Sequence, residues 1–132
     1  MWKIWTLVVS LSMHLVGFGQ DNVKDKVVLA LKTGNAKELS SHFIPNIDLT
    51  VGKNSDVYSK AQAEQILDRF FEELDPRSFE VEHEGVSKMG DSYYIGNLTG
   101  AERTMRVTFF LKRTGSDLQV KQLRIEPSSG SR

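Results

Sequence analysis

Two rhythms divide this chain, and the point where one gives way to the other limits the fold more tightly than any motif. Between Lys60 and Leu74 the apolar residues Ala63, Ile66, Leu67, Phe70, Phe71 and Leu74 recur at spacings of three and four, which places them on one stripe of an α-helix. From Ser78 the period becomes two. Phe79, Val81 and His83 alternate with Glu80, Glu82 and Glu84. Tyr93–Thr99 reads as a second strand, and Met105, Val107, Phe109 and Leu111 alternate with Thr104, Arg106, Thr108 and Phe110 in a third. The turn Thr114-Gly115-Ser116-Asp117 leads into a fourth, Leu118–Glu126. In that strand Leu118 and Val120 share one phase while Leu123 and Ile125 share the other, so a one-residue bulge near Lys121-Gln122 is expected to bring both pairs to one face and bend the sheet.

Upstream of the long helix the signals are shorter. Asn22, with Asp25 three residues on, caps a helix over Val23–Thr33 that Gly34 ends. Asn35 with Glu38 caps a second short helix, and Pro45 is expected to close that segment. Ile47, Leu49 and Val51 alternate with Asp48 and Thr50 as a strand, Gly52–Asp56 reads as a turn, and Ser59 with Gln62 forms a capping box for the long helix. The expected order is therefore α-α-β-α-β-β-β-β. Consecutive strands joined by short turns pair antiparallel, so the class is α+β, with a curved sheet packed on helices as a cone.

The N-terminus has a different character. Met1-Trp2-Lys3 is followed by a mostly apolar run, Ile4–Val16, and then by Gly17-Phe18-Gly19 with small residues at the −3 and −1 positions. This predicts a signal peptide over 1–19 that is removed, because the run is shorter than the ~20 apolar residues a membrane span needs. The expected domain is 20–126 with a disordered tail over 127–132. The expected location is the periplasm or the exterior of the cell, without a membrane association after cleavage. The sequence contains no cysteine, so lipid anchoring at a cysteine, disulfides and thiol chemistry are excluded together. Seventeen basic and 17 acidic residues balance, which argues against nucleic acid as a partner.

The runs GNAKELSSHF at 34–43, YSKAQAEQILDRFF at 58–71, YYIGNL at 93–98, RVTFFLK at 106–112 and QLRIE at 122–126 resemble a family of secreted Bacteroidota proteins, domain of unknown function 4783, within the nuclear-transport-factor-2-like, or cystatin-like, superfamily. The resemblance covers Asp21–Glu126. It implies the cone fold and export, and it brings no catalytic residues. Some members of the superfamily place a carboxylic acid and a tyrosine inside the cone, and others pair through the open side of the sheet.

No catalytic set, metal ligand set or cofactor motif is expected from the residues. His42 and His83 stand on separate elements without helical spacing, which disfavours zinc. His83 belongs to the core-facing phase with Phe79 and Val81, so with Tyr58 and Tyr93 it is a candidate to line a ligand site in the cone. Asp48 with Tyr58 or Tyr93 is the nearest approach to an acid–tyrosine set, although Asp48 alternates with apolar neighbours and should face solvent. Glu80, Glu82 and Glu84 should project from one face at ~7 Å intervals as a solvated row. Phe110 falls on the outward phase, and Tyr94 is expected to share that face as an interface candidate. These features predict a non-enzymatic domain that binds a small apolar ligand in the cone or a protein through the sheet, including a second copy as a homodimer. The alternative is a small-molecule isomerase or hydratase using the cone cavity.

Overall fold

The computed structural model describes residues 22–128; the expected signal peptide and residues 129–132 of the expected tail lie outside the described residues. Three helices come from the caps read in the sequence. Helix α1, Val23–Thr33, starts where the Asn22 side chain accepts from the Asp25 N–H and stops at Gly34, whose φ is 67°. Helix α2, Ala36–Ser41, is capped by Asn35, which accepts from the Glu38 N–H at 3.0 Å. Helix α3, Lys60–Leu74, opens with a reciprocal capping box: the Gln62 N–H donates to Ser59 Oγ at 3.2 Å and the Ser59 N–H donates to Gln62 Oε1 at 3.2 Å. Two donors that a helix start leaves without partners are thereby satisfied.

The strands are β1 (Phe43–Val51), β2 (Asn54–Ser59), β3 (Ser78–Val86), β4 (Ser92–Thr99), β5 (Thr104–Thr114) and β6 (Asp117–Pro127). They form one sheet in the order β2-β1-β6-β5-β4-β3. All neighbours are antiparallel except β1 and β6, which run parallel, with β2, α3 and the hairpins of β3–β6 between them in the chain. The β2 strand corrects the expected order. Val51 pairs with Asn54 across the two-residue turn Gly52–Lys53, with Gly52 at φ 64°, so the residues read as a long turn are mostly strand. Asn54, Ser55 and Asp56 favour turns, and as part of an exposed edge strand they carry no buried alternation to outweigh that signal. Pro45 also differs from expectation. It sits inside β1, in the stretch between Phe43 and Asp48 where the β1–β6 register shifts, so its missing N–H breaks no ladder bond.

The long helix lies on the inner side of the sheet, where its buried residues Leu67, Phe70, Phe71 and Leu74 share one core cluster with Met105 of β5 and Leu123 and Ile125 of β6. Helix α3 packs against α2 and over β1 and β2, while α1 covers β3. The buried helix residues Leu31, Leu39, Leu67 and Phe71 join Leu49, Leu98, Phe109, Leu123 and Ile125 in one apolar cluster on one side of the sheet. Burying each such side chain contributes roughly 1.5–3 kcal/mol.

Two bulges set the register. In β6, Gln122 pairs with Phe110 and Val120 with Leu111, so Lys121 is the extra residue. This is the expected bulge, and it does what the pattern required: Val120, Leu123 and Ile125 are all fully buried. Lys121 forms an ion pair with Asp91, with side-chain exposures of 26% and 12%, so the bulge is pinned by a largely sheltered contact. Deleting Lys121 is expected to abolish cooperative urea unfolding, since one of the two apolar pairs must then face solvent. Lys121→Ala keeps the residue count and is expected to retain the transition with a loss of about 1–2 kcal/mol.

Candidate functional site

Residues paired across adjacent strands point to the same side of a sheet, so the register assigns every candidate to a face. The inner face follows from the buried pairs Phe79–Leu98, Leu98–Met105 and Val107–Ile125. Continuing along β3, a second bulge lies between Val81, which pairs with Gly96, and His83, which pairs with Ile95. Glu82 is the extra residue. The bulge reverses the phase, and His83 is exposed on the outer face instead of lining the cone. It also breaks the expected carboxylate row. Glu82 accepts a hydrogen bond from Asn97 Nδ2 at 2.6 Å on the outer face, whereas Glu84 pairs with Tyr94 on the inner side.

The two adjacent tyrosines exchange the roles expected of them. Tyr94 is on the inner face, where its ring stacks on buried Phe109 with centroids 5.2 Å apart and planes 30° apart, and Lys24 Nζ lies 5.7 Å from its ring centroid. Tyr93 is on the outer face opposite Phe110, with centroids 5.5 Å apart and planes at 40°. The signal that could have separated them was present: buried Leu98 and Gly96 define an inner phase that runs back to Tyr94. Tyr58 alone among the expected cone residues is on the inner side, opposite buried Ile47 and packed against the core.

The acid–base arrangement does not assemble. Asp48 aligns with Gln122 and Val57 on the outer face, and His83 lies on the same face four strand steps away, or ~19 Å at ~4.8 Å per step. General acid–base work on one substrate needs both groups within hydrogen-bond reach of it. Among the described residues no group of three His, Asp or Glu side chains is placed to hold a metal ion, and no helix is long and apolar enough to cross a membrane. The middle of the cone is occupied by side chains. Leu49, Leu123 and Phe109, which lie side by side across three strands, have no exposed surface, so no water-sized space lies against them.

Two surface features remain. One is an open groove of about 620 Å³ at the C-terminal end of α3, floored by Val51, Phe70, Met105 and Pro127 and edged by Lys53 and Arg103. The Arg103 guanidinium sits 5.9 Å from the Phe70 ring centroid and 3.7 Å from Glu73. The other is the outer face of the sheet, where Tyr93, Ile95 and Phe110 form a half-buried apolar group. Gly85 belongs to that group through the room it leaves. A Cβ there would lie 2.7 Å from the Tyr93 hydroxyl oxygen, so the tyrosine ring covers the glycine and is held flat on the sheet. None of the outer-phase residues joins the core cluster, and among the described residues no helix covers them.

The family model for the domain of unknown function DUF4783 matches residues 24–126. The chain belongs to this family. A DUF4783 protein from Bacteroides uniformis ATCC 8492 is 30% identical, with 82% of this chain and 99% of that chain covered and a TM-score of 0.75. The protein Rd1NTF2_04 with long sheet, 18% identical, aligns over 77% of this chain and 94% of its own with a TM-score of 0.62. A domain of unknown function with a cystatin-like fold from Nostoc punctiforme PCC 73102 is 11% identical, with coverages of 82% and 74% and a TM-score of 0.64. The last two show the fold alone, which is nuclear-transport-factor-2-like. No curated protein matches the sequence.

The tyrosine–phenylalanine contact on the outer face is expected to contribute on its own account. A double-mutant cycle with Tyr93→Ala and Phe110→Ala in the DUF4783 domain, read by denaturant unfolding, should give a coupling energy of about 0.5–1.5 kcal/mol.

Proposed function

We propose that this DUF4783 domain is an exported, non-catalytic binding module that engages a protein surface through the outer face of its sheet. The observation that carries this reading is the group Tyr93, Ile95 and Phe110, set together on a face with no covering helix among the described residues. Aromatic residues give large contact area at small conformational cost and recur at the centres of protein interfaces. The surrounding residues Thr108, Asn97, Gln122, Arg106 and Arg124 supply a polar rim of the kind such a centre needs to exclude water. Export is supported by the pattern of residues 1–19.

The reading is tested inside cells by placing a photo-crosslinking phenylalanine analogue at Phe110 or at Leu29, an equally apolar position 58% exposed on α1. A discrete protein adduct from position 110 and none from position 29 is the expected result. No adduct from 110, or the same adduct from both positions, would refute it.

A second reading is favoured by the groove beside α3. A small amphipathic ligand there would lay its apolar body on Phe70 and Met105 and set an acidic head between Lys53 and Arg103. Saturable binding of anilinonaphthalene sulfonate that Arg103→Glu weakens by about tenfold is its expected signature, and dye binding unchanged in that variant rules the site out.

A further inference from the structure

We infer that Met89, at the tip of the β3–β4 hairpin, is a site of reversible oxidation by peroxides, and that its sulfoxide changes the polarity of the tip without disturbing the fold. Of the four methionines in the sequence, Met89 and Met105 fall among the described residues, and they stand at opposite extremes of exposure. Met89 is 80% exposed, whereas Met105 is 4% exposed and belongs to the core cluster. A thioether reacts with a peroxide only where the two can meet, so this difference decides which sulfur is modified.

The loop that carries Met89 is held by other groups. The Ser87 N–H donates to the Asp91 carbonyl at 2.8 Å, the Gly90 N–H to the Ser87 carbonyl at 2.9 Å, and the Asp91 N–H to Ser87 Oγ at 3.2 Å. Gly90 supplies the left-handed backbone of the turn with φ 90°, and the Asp91 carboxylate ties the base of the loop to Lys121 of β6. None of these contacts uses the side chain at position 89. Turns favour Gly, Asn, Asp and Ser for backbone reasons, and methionine answers to none of them. Val86, 69% exposed, stands on the same hairpin, so the hairpin ends in an apolar point whose polarity one sulfur atom controls.

The step balances with hydrogen peroxide as the oxidant. A sulfur lone pair attacks one peroxide oxygen, and an S–O bond forms as the O–O bond breaks. The leaving hydroxide collects the proton of the transferred hydroxyl and departs as water. Sulfur loses two electrons and the peroxide gains them. Return requires a dithiol, which gives up two electrons, becomes a disulfide and releases the oxygen as water, with one reductase for each sulfoxide epimer. At Met89 the new oxygen meets solvent. At Met105 it would enter the packed inner face beside its ladder partner Leu98, where a polar atom without a hydrogen-bond partner is costly.

The purified protein is treated with hydrogen peroxide at neutral pH and mapped over time by mass spectrometry. Cleavage after Glu84, Glu102 and Glu126 puts the two methionines on separate peptides. Met89 should gain one oxygen at the rate of free methionine, and Met105 about a hundredfold more slowly, because it reacts only through opening of the fold. In concentrated guanidinium chloride the two should react alike. Dithiothreitol with the two epimer-specific methionine sulfoxide reductases should restore the original mass at position 89. The protein oxidised at Met89 should keep its melting temperature by circular dichroism and elute earlier from a hydrophobic-interaction column. Met89→Leu should show neither the native mass gain nor the change in elution. Equal native rates at the two methionines, a sulfoxide at 89 that the reductases leave in place, a melting temperature lowered by oxidation at 89, or an elution shift that persists in Met89→Leu would each overturn the inference.

Discussion

One extra residue in β6 decides which side chains of this sheet are buried. With Lys121 set outside the ladder, Leu118 and Val120 on one side of it and Leu123 and Ile125 on the other all turn toward the helices. Without it, a strict period of two would place one pair in solvent, and no arrangement of helices could cover both. The Glu82 bulge does the same on the far side of the sheet, turning His83 outward and Glu84 inward. Between these two bulged strands, β4 and β5 pair without interruption from Ser92–Leu111 to Thr99–Thr104. The sheet is therefore a regular two-stranded ribbon flanked by strands that each gain local twist. Curvature away from that ribbon makes its outer side the crest of the convex face, and Tyr93, Ile95 and Phe110 lie on it.

Most of the architecture was legible because it is written locally. The three helix starts are declared by Asn22, Asn35 and Ser59, each with an acceptor aimed at a donor three residues on, and helix ends at Gly34 and Asp75-Pro76 are equally local. The β6 bulge was legible too, because a change of phase between two apolar pairs leaves no other way to bury both. The β3 bulge left no such trace. Beyond Val81 the strand reads Glu82, His83, Glu84, Gly85, Val86, which has too few apolar residues to reveal a phase change, so the alternation appeared to continue. Every misplaced candidate on that strand follows from this one silent residue. Tyr93 and Tyr94 were ambiguous for a related reason: adjacent aromatics satisfy either phase, and only the buried Leu98 at the far end of β4 separates them. The β2 strand was hidden by its own exposure, since an edge strand with Asn, Ser and Asp at its start has nothing to bury and hence no period.

The packed centre of the inner side and the outer face that no helix covers among the described residues have a common cause. Helix α3 covers the β1 side, with α2 packed against it, and α1 covers β3, and Phe109, with Tyr94 stacked upon it, lies buried on the strand between. A large aromatic pair at the centre of a curved sheet provides packing that a wider cavity would forgo, at the rate of roughly 20 cal/mol per Å² of cavity surface left empty. Stability of a small domain without disulfides depends on such packing.

The surface is constrained by what the sheet must avoid. Six strands in an open order leave two edges, and each edge here carries a feature that discourages strand addition, the Asp56 carboxylate on the Val57 N–H in β2 and the bulge in β3. Uncontrolled association through edges produces open-ended assemblies, whereas a face can pair only once, because the helices occupy the opposite side. The Asp56 and Glu82 features therefore hinder strand addition at both edges of the sheet. The same feature bears on Val57, 61% exposed on β2: it lies on an edge strand whose own N–H is taken up by the Asp56 carboxylate, so its backbone offers a further strand little to pair with.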